Sequence, residues 1–336
     1  MASEQLFRIL SIDGGGIRGI IPGRILALVE HYLIKATGNP DARLSDFFDL
    51  IAGTSTGGIL ACAFLLPNDS QRPKMTGNEV VDIYMTRGKD IFSIPVFHRL
   101  RSAGGFRDEK YPAKGLETAL NDYFGETMLT DLLKPCLITS YDVTRREAHF
   151  FKQHQAQKRG DARNFKVKDA CRATSAAPTY FECALVNSAS QVAYPLVDGG
   201  IIVNNPTMCA YAEAVEAFGK KAAEMAILSI GTGFANTEYR YDDVKNWGLM
   251  HWPGPLIDMM MTGVSETVDY QLRQMFRATQ KEKQYLRINT RLSVDINPDM
   301  DDTTDKNLNG LFRLGTETYQ NMETQIKAFA DEFLLP

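Results

Sequence analysis

Apolar positions along this 336-residue chain follow two rhythms that alternate. Residues 6–12, 136–143, 193–197 and 225–230 are short apolar runs bounded by turn residues, the pattern of buried strands. Residues 148–151 read as a partner strand to 136–143 across Thr144-Arg145-Arg146. Between the strands the period lengthens. After Pro22, the residues Ile25, Leu26, Leu28, Val29, Tyr32 and Leu33 recur at helical spacing, and proline suits the start of a helix. Helices are also expected near 79–87, 116–124, 167–173 and 206–218. The aromatic-rich run 47–52 predicts a strand, and 59–66 predicts two helical turns directly after it. Late in the chain, Ile257, Met260, Met261, Val264, Val268, Leu272 and Met275 form a stripe at helical spacing. Strands alternating with helices predict an α/β fold with a central, mainly parallel sheet between helices. No linker, charge block or repeat divides the chain. A single domain over 1–336 is expected, with its motif-bearing core at about 6–235 and a helical C-terminal part at about 255–336.

Composition narrows the setting. Hydrophobic residues make up 44%, ample for a large core, and the net charge of −4 argues against a nucleic-acid polymer as partner. No basic segment followed by an apolar one marks a secretory signal, and no apolar run reaches the ~20 residues of a membrane span. Five cysteines, Cys62, Cys136, Cys171, Cys183 and Cys209, are odd in number and lack a C-x-x-C pair. They read as reduced thiols in a cytoplasmic protein.

Candidate chemistry concentrates at glycine-rich strand ends, where open α/β sheets carry their sites. Gly53-Thr54-Ser55-Thr56-Gly57 lies between the predicted strand and the helix that follows it. A serine on a tight strand-to-helix turn, flanked by glycines, matches the G-x-S-x-G nucleophile elbow; its bland reading is a turn with a serine cap. Asp13-Gly14-Gly15-Gly16-Ile17-Arg18-Gly19 follows the first strand and precedes the first helix. Amides of Gly14, Gly15 and Gly16 could face the negative charge that grows on a carbonyl oxygen during acyl transfer, with Arg18 adding a cation or bracing the loop. The same loop matches the dinucleotide fingerprint as Gly14-x-Gly16-x-x-Gly19. That alternative, a nucleotide-binding oxidoreductase-like protein, wants an acidic strand end about 20 residues on, where this chain has Thr37-Gly38-Asn39-Pro40-Asp41. Asp198-Gly199-Gly200 ends another strand, and Asp198 is the leading base candidate. Histidine is scarce: His31, His98, His149, His154 and His251 are all there are, and none follows Asp198 on a late strand-end loop. A serine–aspartate dyad therefore fits better than a triad, and a dry site would raise the carboxylate's proton affinity.

Those three motifs, in order and spacing, resemble the signature of patatin-like phospholipases. Ser175-Ala176-Ala177-Pro178 and Asn204-Asn205-Pro206 also look like that family's intervening stretches. The likeness covers about residues 6–235. It implies a patatin-like fold and acyl-ester hydrolysis of membrane phospholipids without a cofactor or metal. By resemblance, Ser55 is the nucleophile and Asp198 the base. Gly14, Gly15 and Gly16 supply the oxyanion donors, with Arg18 in support. A chain that starts almost at its first motif looks more like bacterial members. Some of those are anti-phage effectors switched on by a cyclic dinucleotide to degrade the cell's own membrane. The expectation that follows is a cytoplasmic enzyme, peripheral at the inner membrane face when active, with a cyclic dinucleotide as activator.

Three weaker features remain. Between Arg145 and Arg172 lie nine Lys/Arg against three Asp/Glu, which could meet headgroups or phosphates but more often forms a solvated face. The methionine-bearing stripe after Trp247, Trp252 and Pro253 reads first as core, and second as a lid or lipid-entry surface. Asp295 to Asp301 begins like a calcium loop. Met300 stands where glycine is needed and Lys306 where a bidentate glutamate is needed, so an exposed acidic loop is expected.

Overall fold

The computed structural model describes residues 6–92, 110–235, 238–248 and 251–335. Eight strands form one sheet: β1 (Phe7–Ile12), β2 (Leu50–Gly53), β3 (Cys136–Asp142), β4 (Glu147–Lys152), β5 (Ala184–Asn187), β6 (Ala193–Asp198), β7 (Met225–Ile230) and β8 (Tyr285–Ile288). The described helices are α1 (Ile20–Thr37), α2 (Thr56–Leu65), α3 (Gly77–Ile91), α4 (Lys114–Phe124), α5 (Gln153–Arg159), α6 (Val167–Thr174), α7 (Thr207–Phe218), α8 (Tyr241–Val244), α9 (Pro253–Ala278), α10 (Asp305–Asn321) and α11 (Glu323–Phe329). Strands β3, β2, β1, β7 and β8 run parallel as neighbours in that order. Antiparallel β4 and β6 pair with β3, and β5 with β6. The expected α/β architecture, a mainly parallel sheet between helices, is what the chain adopts.

Alternation within the central strands divides the core into two. In β1, Leu10 and Ile12 join the larger cluster, under α1 to α4, while Phe7 and Ile9 face α7 and α9. In β7, Ala226, Leu228 and Ile230 face the first side, and Met225 and Ile227 the second. Both faces are buried, so these strands read as continuous apolar runs. Two sequence expectations shift. Phe47 belongs to a 3-10 turn (Leu44–Phe47), and the strand before the elbow starts only at Leu50. Strands β5 and β8 did not declare themselves, being four residues each.

The parallel arrangement sets the site. Because β1, β2 and β7 point the same way, the loops after Ile12, Gly53 and Ile230 emerge at one edge of the sheet. Antiparallel β6 lies against β3 with Asp198 opposite Ser140, which brings the end of β6 to that edge too.

Candidate active site

Ser55 sits where β2 gives way to α2, with φ 52° and ψ −123°. A side-chain-bearing residue rarely adopts this backbone, and the strain is held by what surrounds it. Glycine is required on both sides for want of room. A Cβ on Gly53 would strike the Gly57 carbonyl, and one on Gly57 would strike the Ile12 carbonyl. The Ser55 amide donates to Thr174 Oγ1 at 2.8 Å, and its carbonyl accepts from Gly58 and Ile59. The hydroxyl is left free to point away from the turn.

It shares a cavity with Asp198 and is near enough to lower the pKa of that carboxylate, whose Oδ1 accepts from the Gly200 amide at 2.6 Å. Asp198 is 4% exposed. Burial raises its pKa to about 7, against the lowering pull of the Ser55 hydroxyl and the Gly200 amide. A carboxylate tuned near neutrality is suited to accept a proton and return it. Among the described residues no histidine lines this cavity. His149 is enclosed by Phe151, Phe165 and Tyr194, and burial lowers its pKa to about 4. His154 binds Glu213, His31 and His251 are exposed, and His98 lies outside the described residues.

The glycine loop after β1 is fastened on every side but one. Asp13 N–H donates to the Ile230 carbonyl at 3.0 Å, and Ile17 N–H to the Met300 carbonyl at 2.8 Å. Thr232 Oγ1 donates to the Gly14 carbonyl at 2.6 Å. The Gly14 amide is already committed to the Asn204 carbonyl at 3.1 Å, so it cannot serve an oxyanion, contrary to the expectation for Gly14. The amides of Gly15 and Gly16 have no partner among the described residues, and both glycines line the cavity with Ser55 and Asp198. Two free donors in such a cavity can stabilise negative charge as it develops, with no reorganisation during a reaction. Of the two roles expected of Arg18, a cation at the site or a brace for the loop, its contacts favour the second. Its Nε reaches the Gly15 carbonyl at 3.4 Å, and its side chain lines a neighbouring polar trough instead of the Ser55 cavity. There it braces the loop.

Several supporting residues escaped the sequence reading. Arg287, on β8, forms a buried two-pronged pair with Asp13 and also reaches Ser229 Oγ at 2.9 Å. Ser265 of α9 donates to Asp13 at 2.9 Å and accepts from Arg287. Burial works against the Arg287 charge, yet Asp13 keeps its pKa above the ordinary value. Thr207 bonds both Ser11 and Ser229, tying the loop after Asp198 to the same network. The acidic loop 295–301, expected to be merely exposed, packs its Met300 against Gly16, whose φ of +59° and lack of a Cβ admit the Met300 carbonyl.

From Ser55 an apolar cavity extends between α2, α3, α4 and α9, lined by Ile17, Ile59, Ile91, Leu116, Phe181 and Met261 among others. It is suited to a fatty chain. The methionine-bearing helix divides into two halves. Val268, Leu272 and Phe276 are core, while Ile257, Met260 and Met261 line the cavity. The basic run 145–172 is not one patch. Arg145, Lys152, Lys166, Lys168 and Arg172 are each ion-paired, with Asp142, Glu213, Glu126, Glu126 and Glu117 respectively.

An α/β sheet, a strained serine at a strand-to-helix turn and an apolar cavity beside it define the class of lipid acyl hydrolases. The chain belongs to the patatin-like phospholipase family, whose model matches residues 10–211. It is 37% identical to Patatin-like protein 3 of Arabidopsis thaliana over 93% of this chain and 80% of that protein. Patatin-like protein 2 of Oryza sativa subsp. indica is 34% identical, and Patatin group J-1 of Solanum tuberosum 33%, each over 93% of this chain and 83% of its own length. The solved structure of VipD from Legionella pneumophila aligns over 96% of this chain and 67% of its own at 12% identity, with a TM-score of 0.39, too slight a likeness to argue from. No described helix is long and apolar enough to cross a membrane.

Proposed function

We propose that this enzyme releases fatty acids from membrane phospholipids through a Ser55–Asp198 dyad. The observation that carries the reading is one cavity lined by the strained Ser55, the buried carboxylate of Asp198 and the two glycines, Gly15 and Gly16, whose amides are free. Asp198 takes the hydroxyl proton as Ser55 Oγ attacks the ester carbonyl. The carbonyl oxygen becomes an oxyanion held by Gly15 and Gly16. As the intermediate collapses, the bond to the glycerol oxygen breaks, and Asp198 hands its proton to that oxygen. Water then attacks the acyl-enzyme and gives its proton to Asp198. The fatty acid leaves, and the proton returns to Ser55.

The enzyme meets its substrate at a bilayer surface. Leu256 and Met260 stand exposed on the first turns of α9, where that helix joins the cavity wall. Mass spectrometry of mixed phospholipids after incubation tests the activity. Fatty acid and lysolipid should accumulate with the wild type and not with Ser55→Ala. The same reaction run with and without cyclic dinucleotides tests activation and, with it, an anti-phage role. Within the basic run, Arg146, Lys158, Arg159 and Arg163 are the members without an ion pair among the described residues. Equal turnover with every nucleotide removes that activation.

A further inference from the structure

Ser55 and Asp198 are not the only hydroxyl and carboxyl side chains on the cavity wall, but most of the others are engaged. Thr56 Oγ1 donates to the Tyr84 hydroxyl at 2.6 Å, and that hydroxyl donates to the Thr56 carbonyl at 2.9 Å. Ser175 differs. It is 8% exposed and lines the same cavity, yet its Oγ has no hydrogen-bond partner among the described residues. The residue directly follows α6, and its amide donates to the Cys171 carbonyl at 3.2 Å. A serine hydroxyl at a helix end commonly bonds back to the preceding turn; this one does not. A buried hydroxyl left unpaired is costly unless an incoming group completes it.

The chain on either side places that hydroxyl. Thr174 Oγ1 accepts from the Ser55 amide at 2.8 Å, and the Ala176 carbonyl accepts from the Asp198 amide at 3.0 Å. Ser175 is thus held between the two residues that anchor the backbones of the nucleophile and the base of the dyad. Rotation about one bond carries its Oγ among staggered positions on the wall that the residue already lines. The rest of that wall is mostly apolar, so the polar groups able to meet the hydroxyl there are those of the reaction itself.

We propose, on the strength of the acyl-hydrolase reading above, that the Ser175 hydroxyl holds the acyl acceptor, the water that attacks the Ser55 ester. A water in a buried site needs two to four polar partners. This one donates one hydrogen to Asp198 and the other to Ser175 Oγ, which turns a lone pair toward the acyl carbon. As the water oxygen bonds that carbon, Asp198 takes a proton from it and the oxyanion forms. On collapse the bond from the acyl carbon to Ser55 Oγ breaks, the proton passes from Asp198 to that oxygen, and the fatty acid is free. Water enters where the alcohol left, so in the first half of the cycle the same hydroxyl faces the departing glycerol oxygen.

The test separates the two halves with p-nitrophenyl butyrate, whose nitrophenolate leaves without a proton. At saturating ester, intact-mass spectrometry of acid-quenched samples reads the ratio of acylated to free enzyme, which is the ratio of acylation to deacylation rates. In Ser175→Ala that ratio should rise about ten-fold over wild type, with the butyryl group on Ser55. General loosening of the site would slow both halves and leave the ratio where it was. A ratio that is unchanged or lower overturns the proposal. Ser175→Cys, close in shape but a weak hydrogen-bonding group, decides in the same way should the alanine variant not fold. If wild type turns over the ester through Ser55 and the ratio does not respond, the role of Ser175 fails while the serine hydrolase stands. If wild type turns over no ester, both fail.

Discussion

At Asp198, catalysis and stability pull against each other. In the proposed mechanism the carboxylate must ionise to act as a base, yet it ionises in a buried site. Its pKa of about 7 in the fold stands above the ordinary carboxylate value of 3.8. Between those values the folded chain holds a proton that the unfolded chain has released. Stability from this group is therefore complete below about pH 4 and is lost as pH rises through 7, at a slope of up to ~1.4 kcal/mol for each step of one in pH. Asp198→Asn should accordingly raise the melting temperature at pH 8 relative to wild type and lose that advantage near pH 4, as thermal unfolding at the two pH values would show. The same substitution should cost kcat ~10³-fold or more, since the base is gone. In the wild type, kcat/KM should climb along an acid limb with an apparent pKa of about 7. A pH profile flat from 5 to 8 would remove Asp198 from the role of base.

The glycine loop shows how much the elements do for residues that make no contact with substrate. Its free amides are usable only because Asp13, Gly14 and Ile17 are bound to β7, the Asn204 loop and the Met300 loop. Arg287 holds Asp13 from β8, well beyond residues 10–211. Arg287→Lys keeps the charge but not the planar fork. It should lower kcat by about ten-fold with little change in KM, the mark of a loosened transition-state contact. Arg287→Gln leaves a buried carboxylate unpaired and should lower stability by ~3–5 kcal/mol, read by denaturant unfolding. None of this was legible in the sequence. Elbow, glycine loop and Asp-Gly-Gly turn declare themselves because tight turns need glycine at fixed offsets. Arg287 stands in a four-residue strand with no local signal, and its partner lies 274 residues away. Gly14 misled for a related reason. Three adjacent glycines look equivalent in sequence, but only the fold shows that the first amide is spent on Asn204. The helices and longer strands were readable because their apolar faces repeat with the period of the element.

For the molecule as a whole, the sheet gathers three loops at one edge, and α9 closes the space above them. One half of that helix is core, and the other forms cavity wall and exposed apolar surface. In the proposed reading, this division connects the exposed apolar turn that meets the bilayer rigidly to the site. Leu256→Asp should reduce the ratio of phospholipid-vesicle turnover to soluble-ester turnover by about ten-fold, because a charged group replaces apolar area at the contact. The proposed mechanism rests on one proton passing between Ser55 and Asp198. Intact-mass kinetics with a fluorophosphonate probe, followed by peptide mapping, follows that transfer most closely. A single adduct on Ser55 is expected, formed at a rate that rises through pH 7 and collapses in Asp198→Asn. An adduct on another residue, or an undiminished rate in Asp198→Asn, would contradict the dyad.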